Sequence, residues 1–150
     1  MDLRFKVSAH IAKPVEEVFE AVADPASLSR YFTTGGAKGR LETGATVTWD
    51  FADFPGAFPV EVKTVEAPNL IVFQWGAEEG EESYMTTVTM TFDPIDDNRR
   101  TLVTIVEEGW RETAAGLTAS YGNCMGWSQM LCALKMWVEH GINLREGMYK

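Results

Sequence analysis

From Thr113 to Leu134 the chain carries no charged side chain, and what this stretch becomes constrains everything else. A run of that length could cross a membrane, which takes about 20 consecutive and mostly apolar residues. Its periodicity argues against a span. Wound as a helix, Trp127, Met130, Leu131, Leu134, Trp137, Val138 and Ile142 fall on one stripe, and Ser128, Gln129, Lys135, Glu139 and His140 fall elsewhere. Gly116, Gly122, Asn123 and Gly126 lower the apolar character upstream. The spacing predicts a long amphipathic helix that begins between Thr113 and Thr118 and ends near His140. Gly141 is its left-handed cap, with Ile142 folding back onto the last turn. Such a helix must lay one side across a broad apolar surface. Met136 and Cys132, on the far side, suggest at most a minor contact surface.

The rest of the chain predicts that surface. Residues 3–11 alternate Leu3, Phe5, Val7, Ala9 and Ile11 against Arg4, Lys6, Ser8 and His10, the pattern of a half-buried strand. Pro14 then suits a first helical turn, Glu16 and Glu17 suit its N-terminal end, and Val15, Val18, Phe19 and Val22 have helical spacing. Asp24 can cap a second short helix with Pro25 at its first position, followed by Leu28, Tyr31 and Phe32. Beyond Gly35-Gly36, strands are expected at about 38–42, 46–53, 58–67, 70–76, 83–93 and 101–109. Gly44, Pro55-Gly56, Pro68-Asn69, AEEGEE and DPIDDNRR punctuate them. No crossover helix separates these strands, so an antiparallel meander is expected. The 150 residues read as one domain.

Alternation assigns inward faces: Val47, Trp49 and Phe51; Val60, Val62 and Thr64; Ile71, Phe73 and Trp75; Tyr84, Val88, Met90 and Phe92. The last strand is ambiguous, and either Glu107 or Glu108 points inward near its end. So aromatic an interior either packs as a solid core or lines an apolar ligand cavity between sheet and helix. In the second case the lining residues are Trp49, Phe51, Phe73, Trp75, Tyr84, Met90, Trp110, Asn123, Trp127, Met130, Leu131 and Leu134. Glu107, Trp110, Tyr121 and Asn123 would supply the polar groups.

Taken in order, VFEAVADPASLSRYF, LIVFQWG, TLVTIVEEGW and GWSQMLCALKMWVEHG resemble the START-like, or SRPBCC, superfamily over nearly the whole chain. Within it they look like the bacterial proteins related to the activator of the heat-shock-protein-90 ATPase. The resemblance implies an α+β helix-grip fold, a curved antiparallel sheet wrapped around a long C-terminal helix, with a hydrophobic cavity. The activator has an additional N-terminal domain, so only its C-terminal domain corresponds here. Many relatives carry a Trp near the position of Tyr31 or Phe32, which SRYFTTGG lacks.

Three functions remain open. The first is binding of a small hydrophobic or amphipathic ligand, lipid-like or aromatic. The second is a protein-interaction or co-chaperone role, through an exposed patch around Met136 and the loop from Phe54 to Phe58. The third is a cyclase- or hydrolase-type enzyme using Glu107 or Tyr121. No nucleophile–base–acid set is recognisable, so binding is placed ahead of catalysis. Net charge of −9 disfavours nucleic acid and anionic membranes as partners. No cofactor or metal is expected: GRLETGAT lacks the phosphate-loop Lys, DPIDDN lacks the calcium-loop glycine, and AEEGEE reads as a charged turn. Cys124 and Cys132 lie roughly 12 Å apart on one helix, too far for a disulfide, and read as buried or partly buried thiols. The absence of a signal-peptide pattern makes the cytoplasm the expected compartment, as a monomer or homodimer.

Overall fold

A computed structural model describes residues 1–77 and 83–149. In chain order the elements are β1 (Arg4–Ile11), α1 (Val15–Ala23), α2 (Pro25–Leu28), β2 (Gly36–Lys38), β3 (Thr46–Phe51), β4 (Phe54–Glu66), β5 (Leu70–Ala77), β6 (Tyr84–Ile95), β7 (Arg100–Glu108) and α3 (Ala114–His140). Among the described residues the strands form one antiparallel sheet in the order β1-β7-β6-β5-β4-β3-β2. From β2 to β7 every strand pairs with its neighbour in sequence, and β1 joins the far edge through Arg4↔Glu108 to Ile11↔Thr101. The sheet curves around α3, which is the helix-grip arrangement.

The local chemistry explains the helices. α1 buries Val15, Val18, Phe19 and Val22 and carries Glu16 and Glu17 in its first turn, where they complement the helix dipole. Pro14 is its N-cap and has no side-chain acceptor to offer. Asn98, in the β6–β7 turn, takes that role: its Oδ1 accepts from Val15 N at 2.9 Å, and its Nδ2 donates to Glu16 Oε2 at 2.9 Å. Asp24 caps α2, accepting from Ser27 N at 3.2 Å and Ser27 Oγ at 2.9 Å. Thr113 caps α3 by accepting from Gly116 N at 3.0 Å, and Gly141 closes it at φ 69°. Tyr31 is fully buried, donates to Ala21 O at 2.9 Å, and has its phenol pushed well up by burial.

Several boundaries differ from the sequence expectation. The strand expected at 38–42 is β2, which stops at Lys38: Gly39 at φ +97° turns the chain, and Leu41 N donates to Ala23 O at 3.1 Å instead of to a ladder. Pro55-Gly56 lies inside β4 rather than between strands. The turn is Ala52-Asp53, because Phe51 pairs with Phe54. Among the described residues this start of β4 is paired only by β3, so a missing proline N–H breaks no second ladder. A register shift between Val62 and Thr64 changes the parity of β4. Thr64 then faces Val72 on the outer side, and Val65, opposite Ile71, continues the inner face. In β7 the inner set is Thr101, Val103, Ile105 and Glu107, so Glu107 is the inward carboxylate and Glu108 is exposed. Ile142 folds back through its N–H, which donates to Met136 O at 3.5 Å, but its side chain is exposed; Met136 is half-buried, and Cys132 is exposed while Cys124 is partly so. Of AEEGEE, residues 78–82 lie outside the described residues.

α3 buries Trp127, Met130, Leu131, Ala133 and Leu134 in a core shared with α1 and the inner faces of β3 to β7. It rests most closely on β1, while β4, β5 and β6 stand away from it. This unequal spacing produces the site.

Candidate functional site

Between the N-terminal half of α3 and strands β4–β6 lies an open cavity of about 1200 Å³. Two features of the walls keep it open. On α3, Gly122 and Gly126 are one turn apart and face it. A Cβ built on either would meet nothing within 4 Å, so these glycines are not there for close packing. Positive φ does not explain them either. In a helix each glycine costs about 0.5–1 kcal/mol relative to alanine, and what is left in return is space.

The second feature is a closed belt of aromatic side chains around the inner end. Ring centroids run from Phe32 to Phe51 at 5.0 Å, to Phe58 at 5.8 Å, to Trp75 at 5.9 Å, to Trp127 at 5.4 Å and back to Phe32 at 5.5 Å. All five line the cavity. Beyond α3 the tail returns to cover one end. Arg145, 9% exposed, donates from Nη2 to both Asp53 oxygens at 3.1 and 3.2 Å, and its guanidinium lies 4.8 Å from Phe51 and 4.9 Å from Tyr149. Among the described residues Arg145 is the one charged side chain of the lining, in a chain of net charge −9.

Behind the belt sits Glu107, with no exposed surface. Its Oε1 accepts from Trp127 Nε1 at 2.8 Å and Asn123 Nδ2 at 3.1 Å. Its Oε2 accepts from Trp75 Nε1 at 2.9 Å, Thr86 Oγ1 at 2.7 Å and Asn123 Nδ2 at 3.0 Å. A carboxylate offers about four lone-pair sites, and here they are taken up. The group therefore orients two indoles and an amide of the cavity wall, and is not placed to remove a proton from a bound molecule.

Of the residues expected to line a cavity, Phe51, Trp75, Tyr84, Trp110, Asn123 and Trp127 do so. Trp49, Phe73, Met90, Met130, Leu131 and Leu134 lie in the packed core beneath it, where the interior is solid. Tyr121 is 67% exposed and turns away from the cavity, so the pair Glu107 and Tyr121 is not brought together as a catalytic set. Phe32, Phe58, Arg145, Tyr149 and the glycines Gly122 and Gly126 were not foreseen as lining residues. The glycines left a signal in their one-turn spacing on an otherwise good helix; Arg145 left none, because nothing local places a tail beyond a helix cap. Among the described residues no group of three or more His, Cys, Asp and Glu could hold a metal ion. No described helix is long and apolar enough to cross a membrane.

A family model described as activator of Hsp90 ATPase homolog 1-like protein matches residues 12–139. No curated protein matches the sequence. Among solved structures, a Staphylococcus saprophyticus protein is 28% identical at a TM-score of 0.76, over 97% of this chain and 96% of that one. DynU16, a protein in the dynemicin biosynthetic locus, is 26% identical at a TM-score of 0.78; the match covers 94% of this chain but 49% of DynU16. The Aha1 dimer of Colwellia psychrerythraea shares the fold at 19% identity and a TM-score of 0.75, over 92% and 97% of the two chains.

Proposed function

This chain belongs to the activator of Hsp90 ATPase homolog 1-like family, and we propose that it binds a small hydrophobic or amphipathic molecule in the cavity between β4–β6 and α3. The observation that carries this reading is the cavity itself, about 1200 Å³ beside an otherwise packed core. Ligand pockets are typically about 300–1,000 Å³ and mostly apolar with a few placed polar groups. Here the polar groups are few: Asn123, Gln129, Tyr84 and Arg145 among them. Binding rather than turnover is favoured because the buried carboxylate is saturated by donors.

Native mass spectrometry of protein purified from cells, repeated under denaturing conditions, tests the reading. A small molecule released on denaturation supports it and gives the chemical class. A ligand-free mass, with no uptake from a broad screen of lipids and aromatics by the delipidated protein, refutes it.

A further inference from the structure

The cavity does not treat all apolar molecules alike. Resting on the binding reading above, we infer that it selects flat polycyclic aromatic ligands over flexible acyl chains. Three observations meet on this point. The belt of Phe32, Phe51, Phe58, Trp75 and Trp127 is closed, each ring touching the next. Rings held this way favour edge-to-face or offset stacking, a geometry that another ring can satisfy and a methylene chain cannot.

The belt is also preorganised. Trp75 and Trp127 are both tied through their indole N–H groups to the buried Glu107, at 2.9 and 2.8 Å. These side chains cannot swing to follow a chain that changes shape, whereas a rigid ligand loses little freedom on entering a rigid slot.

The outer wall on the helix side has the same character. Gly122 and Gly126 on α3 leave bare backbone along one side of the cavity, with open space where each Cβ would stand. Bare backbone makes a flat wall, and a flat wall suits a flat ligand. The one charged side chain of the described lining, Arg145, is already paired with Asp53, so charge does not decide between the two ligand classes and is held equal in the test.

Two probes of equal charge test this, anthracene-2-carboxylate and dodecanoate. Binding is read by calorimetry, with quenching of tryptophan fluorescence as a second signal, since Trp75, Trp110 and Trp127 line the site. The wild type should bind the anthracene probe at least about tenfold more tightly, the worth of two ordinary ring contacts. The informative variant combines Gly122→Ala and Gly126→Ala. Alanine is the better helix former and meets no clash, so the variant should melt higher than the wild type. It should nonetheless bind the anthracene probe about tenfold more weakly, with dodecanoate affinity changed by less than about threefold. Opposite signs for stability and affinity exclude misfolding as the cause. Dodecanoate binding as tightly as the anthracene probe, an unchanged anthracene affinity in the alanine pair, or an equal loss for both probes would each overturn the planar preference while the binding reading stood. Failure of both probes to bind the wild type would overturn the two together.

Discussion

Replacing Glu107 by glutamine exchanges one carboxylate oxygen for an NH₂ group, and the surrounding donors set the cost. The carboxylate accepts from Trp127 and Asn123 on one oxygen and from Trp75, Thr86 and Asn123 on the other. Glutamine offers one oxygen and one NH₂. If the NH₂ takes the Oε1 place, it confronts the Trp127 indole N–H. If it takes the Oε2 place, Thr86 can rotate its hydroxyl to accept, but the Trp75 N–H has no acceptor. An indole nitrogen can only donate, so either arrangement orphans one donor. That costs about 1–3 kcal/mol, and the remaining bonds weaken because their acceptor is no longer charged, by about 1 kcal/mol more. Glu107→Gln should therefore lose about 2–4 kcal/mol, a large part of the roughly 5–15 kcal/mol that holds a domain of this kind folded. Urea unfolding, with the free energy extrapolated to water, measures it. Trp127→Phe should cost less on top of Glu107→Gln than in the wild type, because part of what it removes is already gone. A loss within about 0.5 kcal/mol, or strict additivity with Trp127→Phe, would refute the assignment of Glu107 as the anchor of the indoles.

Other outcomes are equally specific. Thr33 is fully buried and its hydroxyl has no partner, so Thr33→Val should stabilise by about 1 kcal/mol in the same unfolding assay. Asn98→Gly keeps the positive φ of 60° easy but removes the side chain that caps α1, and should cost about 1 kcal/mol, with faster hydrogen exchange at Val15 N–H. Acid should weaken the fold with a predictable sign. The Arg40 hydrogen bond to Glu20 and the Ser27 hydrogen bonds to Asp24 hold both carboxyls below their ordinary values. Their contribution is then fully present above the unfolded-state values and is lost as pH falls through the folded-state ones. Melting temperature should decline below about pH 4.5, and Glu20→Gln should flatten that decline.

Much of the fold was legible because it is written locally. The period of the apolar residues marked α3, Asp24-Pro25 marked the cap of α2, and alternation assigned the inner faces of β3, β5 and β6. What escaped depends on residues far apart in sequence. The bulge that turns Val65 inward and Thr64 outward answers to pairing with β5, not to anything in β4 itself. The division of the aromatics into core and cavity was equally hidden. Trp49 and Trp75 are both inward residues of their strands, yet one lies under the aromatic belt, covered by Phe32, Phe73 and Trp75, and the other within it. Resemblance supplied the fold from fragments that are each degenerate alone, but no fragment recorded that the tail would bring Arg145 back to Asp53.

The strand order also sets a sequence of events in time. Strands β2 to β7 are joined neighbour to neighbour and can zip as successive hairpins, each closing a short loop in about microseconds. β1 cannot take part in that process, since its partner β7 lies about two thirds of the chain away, from Ile11↔Thr101 to Arg4↔Glu108. Contacts of such long separation are entropically late and slow the folding of the whole. Yet β1 is the strand on which α3 rests most closely. The helix should therefore gain its main support only when β1 docks, so the cavity is expected to close late in folding. A chain halted before that step would hold most of its sheet, with the Phe51, Phe58 and Trp75 wall of the site but without the α3 wall that closes it.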